Sequence, residues 1–201
     1  MVGGGGPHNF FGGPHRTAIL MDNSAELTAG ALRSSAAGSL EAAREHFFTR
    51  GYPDYQTLIR EEAALPEGER IDYVTVVTPN DSHYAISKAA LEAGIPVLCE
   101  KPLTITVDES AELARLAKER ELPFIVAYTY TGLPMVMLAR ELVRAGEIGK
   151  IRKMETWYPQ GWLAGRTEDL GVQQAEWRVN PSKSGASGCG GDIGTHAYEF
   201  I

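Results

Sequence analysis

Lys101 lies in Val97-Leu98-Cys99-Glu100-Lys101-Pro102, a short apolar run that ends in two opposite charges and is closed by proline. After Gly94-Ile95-Pro96 this run reads as a buried strand, and its end delivers Glu100 and Lys101 to one edge of a sheet. Open α/β sheets bind ligands at that edge. Pro102 has no backbone donor and keeps Lys101 out of the helical region, which fixes the exit of the chain where the ammonium must point. A solvated Glu-Lys pair at a surface strand end is the other reading of the same six residues. Asp192 and His196 are spaced i, i+4. On a helix they share one face, with a rise of about 6 Å between them. A carboxylate there raises the proton affinity of the imidazole or fixes its orientation, as a general base near neutral pH requires. A purely structural pair is the alternative. Lys, Asp and His converging on one hydroxyl would move its proton.

These residues need a scaffold. Val2-Gly3-Gly4-Gly5-Gly6-Pro7 looks like the turn after the first strand of a dinucleotide-binding unit, where Gly3 and Gly5 let backbone approach a pyrophosphate at a helix amino terminus. The third position holds His8, and the next glycines come late, at Gly12 and Gly13. A flexible Gly-rich leader is the competing reading. Only Met1 and Val2 precede the glycines, against the roughly 5 residues of a usual strand, so a sequence short at its amino terminus is expected. Pro14 to Met21 reads as a short helix, and Leu27 to Leu32 as a strand entering Arg33-Ser34-Ser35. An acid near that strand end would accept from the ribose hydroxyl of NAD, whereas Arg accommodates the extra phosphate of NADP. Arg33 and Ser34 stand there, which points toward NADP; a solvated charge after a strand is the alternative.

Helices are expected over Leu40 to Phe48 and Tyr55 to Leu65. Tyr73-Val74-Thr75-Val76-Val77 is β-branched and apolar on both faces, as a strand inside a parallel sheet should be. It ends in Thr78-Pro79-Asn80-Asp81, where Asn80 or Asp81 can cap a helix from Ser82 to Ala93 that Gly94 closes. The strand of Lys101 follows, then a helix from Asp108 to Glu121, a strand from Pro123 to Ala127 and a helix from Pro134 to Ala145. Alternation of this kind predicts a doubly wound parallel sheet over residues 1–146. Residues 147–201 read as the beginning of a second, α+β domain with a mainly antiparallel sheet, opened by a strand from Ile151 to Trp157. A long irregular stretch from Pro159 to Gly188 carries Trp162 and Trp177, and loops of that length are usually functional. One strand and one helix make no sheet, so the carboxy terminus also reads as cut short.

Composition excludes several classes. With 43% apolar and 22% charged residues the chain reads as a soluble globular protein, and its formal charge of −7 argues against a nucleic-acid surface. No apolar stretch approaches the roughly 18 residues of a membrane span. Cys99 and Cys189 have no metal-ligand spacing, so no metal is expected, and reduced thiols suggest a cytosolic protein.

Taken jointly and in order, the glycine turn, Thr78-Pro79-Asn80 with His83, Glu100-Lys101-Pro102, and Gly191-Asp192 with His196 resemble the Gfo/Idh/MocA family of NAD(P)-dependent sugar and polyol oxidoreductases. The resemblance implies a Rossmann-like first domain and a second domain that offers its sheet to a sugar or polyol substrate and through which many members form homo-oligomers. It implies that Lys101 contacts the reacting hydroxyl, that His196 is the general base and that Asp192 supports both. It places Thr78, Asn80 and Glu100 at the cofactor, the last two near the nicotinamide ribose. His83 reads better as a helix histidine with a structural bond. The same resemblance leaves open a glycoside hydrolase using transient oxidation by bound NAD, and a cofactor-binding sensor without catalysis. Trp157, Tyr158, Trp162 and Trp177 could stack on a sugar ring or simply pack, and Tyr128 or Tyr130 could bond substrate.

Overall fold

The computed structural model describes every residue except His8, Trp162 and Leu163, together with all side chains but theirs and those of Gln173 and Gln174. Expectations placed on His8 and Trp162 therefore lie outside the described residues. The chain forms two compact units, Met1–Val126 and Ala127–Ile201.

The first unit alternates strand and helix: β1 (Val2–Gly3), α1 (Gly12–Leu20), β2 (Ala29–Gly30), α2 (Ala36–Glu45), β3 (Arg50–Gly51), α3 (Tyr55–Ala64), β4 (Val74–Val77), α4 (Asn80–Glu92), β5 (Val97–Cys99), α5 (Val107–Glu119) and β6 (Phe124–Val126). All pairings are parallel, and a bridge from Val2 to Ala31 joins the β2-β3 pair to the β1-β4-β5-β6 sheet. The strand order β3-β2-β1-β4-β5-β6 reverses direction at β1, the switch point where such sheets bind ligands. Every residue of β4 is buried, as its unbroken β-branched sequence demands.

Helix starts follow local chemistry. Asp54 and Ser35 cap α3 and α2 with their side chains, and Thr106 with Glu109 forms a capping box on α5. The expected cap of α4 is corrected: neither Asn80 nor Asp81 caps it. Extended Pro79 precedes the helix directly, and both residues lie in its first turn, with Asn80 buried. Gly94 closes α4 with φ of 78°, as expected. Leu58, Val74, Val76, Ile86, Leu91, Ile95 and Leu113 make the centre of the core. Each such side chain contributes about 1.5–3 kcal/mol on burial. Beside it, the fully buried Glu62 carboxylate accepts from Arg50 Nε and Nη2, both at 2.7 Å, from Tyr52 Oη at 2.7 Å and from the Ile71 amide at 3.2 Å.

The second unit contains α6 (Pro134–Arg144), α7 (Gln173–Arg178), α8 (Pro181–Ser184), a π turn over Gly190–Gly194 and α9 (Thr195–Glu199). The division after Val126 falls earlier than the break expected at Gly146. In sequence α6 reads as one more repeat of the alternation, yet it buries none of its side chains, unlike α4 and α5. The strand expected from Ile151 to Trp157 is corrected too: these residues have no regular structure. A strand requires a neighbour for its backbone N–H and C=O groups, and none of the described residues pairs with this one.

Candidate functional site

At the end of β1 the chain turns at Gly3, φ 79°, where a Cβ would lie 2.5 Å from the Val77 carbonyl oxygen at the end of β4. α1 starts at Gly12, where a Cβ would lie 2.0 Å from the Gly4 oxygen. Gly12 is thus the glycine that lets the helix press on the turn, four positions beyond His8, where the usual spacing would put it. The amides of Gly3 and Gly5 donate to Ala31 and Leu32 at 2.9 and 3.1 Å. These two glycines shape the turn, and their own N–H groups are committed. Asn9 Oδ1 accepts from Phe11 and Gly12 at the head of α1, and Arg16 Nη1 donates to the Gly4 oxygen at 2.9 Å.

Arg33, after β2, sends Nε to the Gly5 oxygen at 2.9 Å. Its two terminal nitrogens reach Glu41 at 3.3 Å and Glu45 at 2.8 Å. Ser34 beside it is exposed. The guanidinium lies against the glycine turn, with two carboxylates upon it.

Three segments meet at the ends of β4 and β5. Thr78 Oγ1 accepts from Ser82 Oγ at 2.7 Å. His83 is fully buried on α4, with Nδ1 3.0 Å from the Pro102 oxygen and Nε2 2.9 Å from the Thr78 oxygen. Burial holds its pKa below the ordinary value although both carbonyls pull upward. Glu100 is 6% exposed. Its Oε1 lies 2.7 Å from His15 Nε2, and its Oε2 accepts from the Lys101 amide at 3.1 Å. Lys101 is half-buried beside it. Cys99 is buried, which pushes its thiol up to about 12 and leaves it inert.

In the second unit Asp192 sits in the π turn and His196 in the first turn of α9, so the two do not occupy one uniform α-helix as their spacing suggests. π turns recur at functional sites. Asp192 Oδ2 accepts from Arg178 Nε at 2.9 Å. His196 is 6% exposed, its ring 4.6 Å from that of Tyr130 and 6.0 Å from those of Tyr128 and Tyr158. The Tyr130 and Tyr158 hydroxyls bond each other, and this bond, with burial, raises the Tyr130 phenol. Burial raises Tyr128. Trp177 stacks on the Arg178 guanidinium at 4.2 Å, and Trp157 is 83% exposed.

His15, Arg16 and Asn9, beside the glycine turn, and Arg178, on Asp192, make contacts that the sequence does not single out. Gly-Gly-Pro-His opening a helix is a usable signal for His15. Arg178 ends α7, and with α8 this helix corrects the irregular stretch expected from Pro159 to Gly188; six residues are too short a helix for any periodicity to mark it.

Residues 1–128 match the oxidoreductase family with an NAD-binding Rossmann fold, and residues 136–201 match the GFO/IDH/MocA C-terminal domain. The chain belongs to the Gfo/Idh/MocA family. Among its Gfo/Idh/MocA relatives, an uncharacterised oxidoreductase, YfiI of Bacillus subtilis (strain 168), is 38% identical over 97% of this chain and 50% of its own. The levoglucosan dehydrogenase of Pseudarthrobacter phenanthrenivorans is 35% identical over 80% of this chain and 38% of its own. Among solved structures, the inositol dehydrogenase homolog of Azotobacter vinelandii complexed with NAD+ superposes with a TM-score of 0.91 at 37% identity, over 100% of this chain and 51% of that one. A levoglucosan dehydrogenase in complex with NADH and levoglucosan superposes with a TM-score of 0.83 at 31% identity, over 99% of this chain and 51% of that one. The chain spans about half the length of the curated relatives it matches, or less. No helix among the described residues is long and apolar enough to cross a membrane.

Proposed function

We propose that the protein carrying this sequence is a nicotinamide-dependent dehydrogenase acting on a secondary hydroxyl of a sugar, anhydrosugar or cyclitol. The observation that carries the reading is the end of β5, which delivers a buried carboxylate and a lysine to the same sheet edge as a turn left bare of side chains. That turn fits a dinucleotide: Gly3 and Gly12 hold backbone where any Cβ would collide, and the head of α1 favours negative charge. Arg33, Thr78, Asn80 and Glu100 are the residues we assign to holding it. When bound, the nicotinamide supplies the hydride acceptor or donor. For the alcohol substrate, His196 takes the hydroxyl proton as general base, and Asp192 holds its orientation. To Lys101 we assign the part of a donor that stabilises negative charge developing on a reacting oxygen. The names of the levoglucosan and inositol dehydrogenases among the relatives support this substrate class.

We take NAD as the first cofactor to test. NADP is the second, because Arg33 stands beside the glycine turn where a 2′-phosphate would find it. Its pairing with Glu41 and Glu45 means that the phosphate must displace carboxylates, whereas NAD asks for no exchange.

The test incubates the natural full-length protein with NAD or NADP and a panel including myo-inositol, levoglucosan and free hexoses, and follows reduced nicotinamide by absorbance. Reduction with at least one polyol is expected. Sugar release without net cofactor reduction would mean a hydrolase, and tight cofactor binding without turnover a sensor; either overturns the reading.

A further inference from the structure

Lys101 is flanked by two histidines, neither of which has a role in the chemistry above. On one side, His15 Nε2 lies 2.7 Å from Glu100 Oε1, with side chains only 12% and 8% exposed. The other oxygen of that carboxylate accepts the Lys101 N–H at 3.1 Å. On the far side, His83 contacts the Pro102 carbonyl and ties it to the Thr78 carbonyl. The backbone from Glu100 to Pro102 is therefore gripped from α1 and from α4, and the Lys101 side chain extends from the span between the grips.

We propose that His15 is a positioning residue for Lys101, acting through the Glu100 carboxylate. A carboxylate with one partner can rotate about its last bond; held at both oxygens it cannot, and its fixed oxygen then fixes the direction of the Lys101 amide. The approach of α1 is what puts His15 there. With a Gly12 Cβ 2.0 Å from the Gly4 oxygen, any larger residue would lift the helix and draw the imidazole off Glu100. The glycine turn and the lysine, separated by most of a domain in sequence, are thus coupled through one imidazole–carboxylate contact. Misplacing a reacting group by about 1 Å can cost about 100-fold in rate. An ordinary stabilising ion pair makes no such demand on the lysine.

The rate part of the test rests on the proposed dehydrogenase activity, so it is joined to a measurement that does not. In the natural protein labelled with 15N, the Lys101 amide is followed by NMR hydrogen exchange and chemical shift. His15→Leu is expected to lose its exchange protection and shift it. His15→Gln, which keeps a donor toward Glu100, is expected to retain most of both, and remains informative if His15→Leu does not fold. In turnover, His15→Leu is expected to lower kcat about tenfold to a hundredfold, and His15→Gln to restore most of it. A Lys101 amide in His15→Leu indistinguishable from the natural one, or a His15→Gln no better than His15→Leu, overturns the proposal. A Lys101 amide that responds in a protein inert toward every polyol upholds the positioning and removes the dehydrogenase reading instead.

Discussion

Arg178 Nε lies 2.9 Å from Asp192 Oδ2, with the two side chains only 9% and 16% exposed. The carboxylate paired with His196 by sequence spacing is thus held by a guanidinium from the end of α7. Removing one member of a buried pair leaves an uncompensated charge and costs about 3–5 kcal/mol. Arg178→Leu is expected to lower the denaturation midpoint and to reduce kcat more than cofactor affinity. Arg178→Lys should recover only part, because an ammonium does not reproduce the planar fork. Full kcat in Arg178→Leu would leave the pair a structural one.

The glycines of the turn are not equivalent. A Cβ at Gly12 meets the Gly4 oxygen at 2.0 Å, whereas nothing lies within 4 Å of one at Gly13. Gly12→Ala is expected to abolish cofactor binding in a titration. Gly13→Ala should bind normally and gain up to about 1 kcal/mol of helix stability. Equal binding by the two variants would show that α1 does not need its close approach.

Arg33 carries a prediction about cofactor choice. Glu41→Gln with Glu45→Gln frees the guanidinium from both carboxylates, so the ratio of NADP to NAD affinity is expected to rise, measured as dissociation constants at fixed ionic strength. Removing the guanidinium as well, as Arg33→Ala, should abolish that rise. An unchanged ratio in the double variant would mean that Arg33 does not face the adenosine ribose.

Glu62 ties α3 to β3. Burial alone would raise its pKa, but the bonds from Arg50 and Tyr52 outweigh that and hold it below the ordinary carboxylate value. A lowered folded pKa means that the stabilisation is fully present above the unfolded value near 4.5 and is lost as pH falls through the folded one. Glu62→Gln is expected to cost about 1.5–3 kcal/mol at neutral pH by removing the charge that Arg50 and Tyr52 bond. Its urea midpoint should fall less steeply than the natural protein's as the pH drops below about 4.5. Parallel pH curves for the two would remove Glu62 from the acid transition.

Much of the first unit is legible in the sequence. β4 shows as a β-branched run and β5 as an apolar run closed by Glu-Lys-Pro, because each signal is local. β2 shortens to two residues where a longer strand is expected, since pairing decides its length. Ile151 to Trp157 has strand composition, but composition supplies no partner strand. The His15–Glu100 contact joins residues 85 apart in sequence, and Arg178 reaches Asp192 from a segment without periodicity. Both depend on how the chain folds back, which no local pattern records. The displaced Gly12 was visible as a residue, though its role needs the approach of Gly4 to be seen.

The role of Lys101 as the donor to the reacting oxygen, delivered at the sheet edge, is the core of the functional reading. The measurement is paired: NAD binding by titration, and reduction of NAD with myo-inositol and levoglucosan, for the natural full-length protein and for Lys101→Ala. The account predicts unchanged binding with turnover lost in the variant. Turnover by Lys101→Ala equal to that of the natural protein would contradict it.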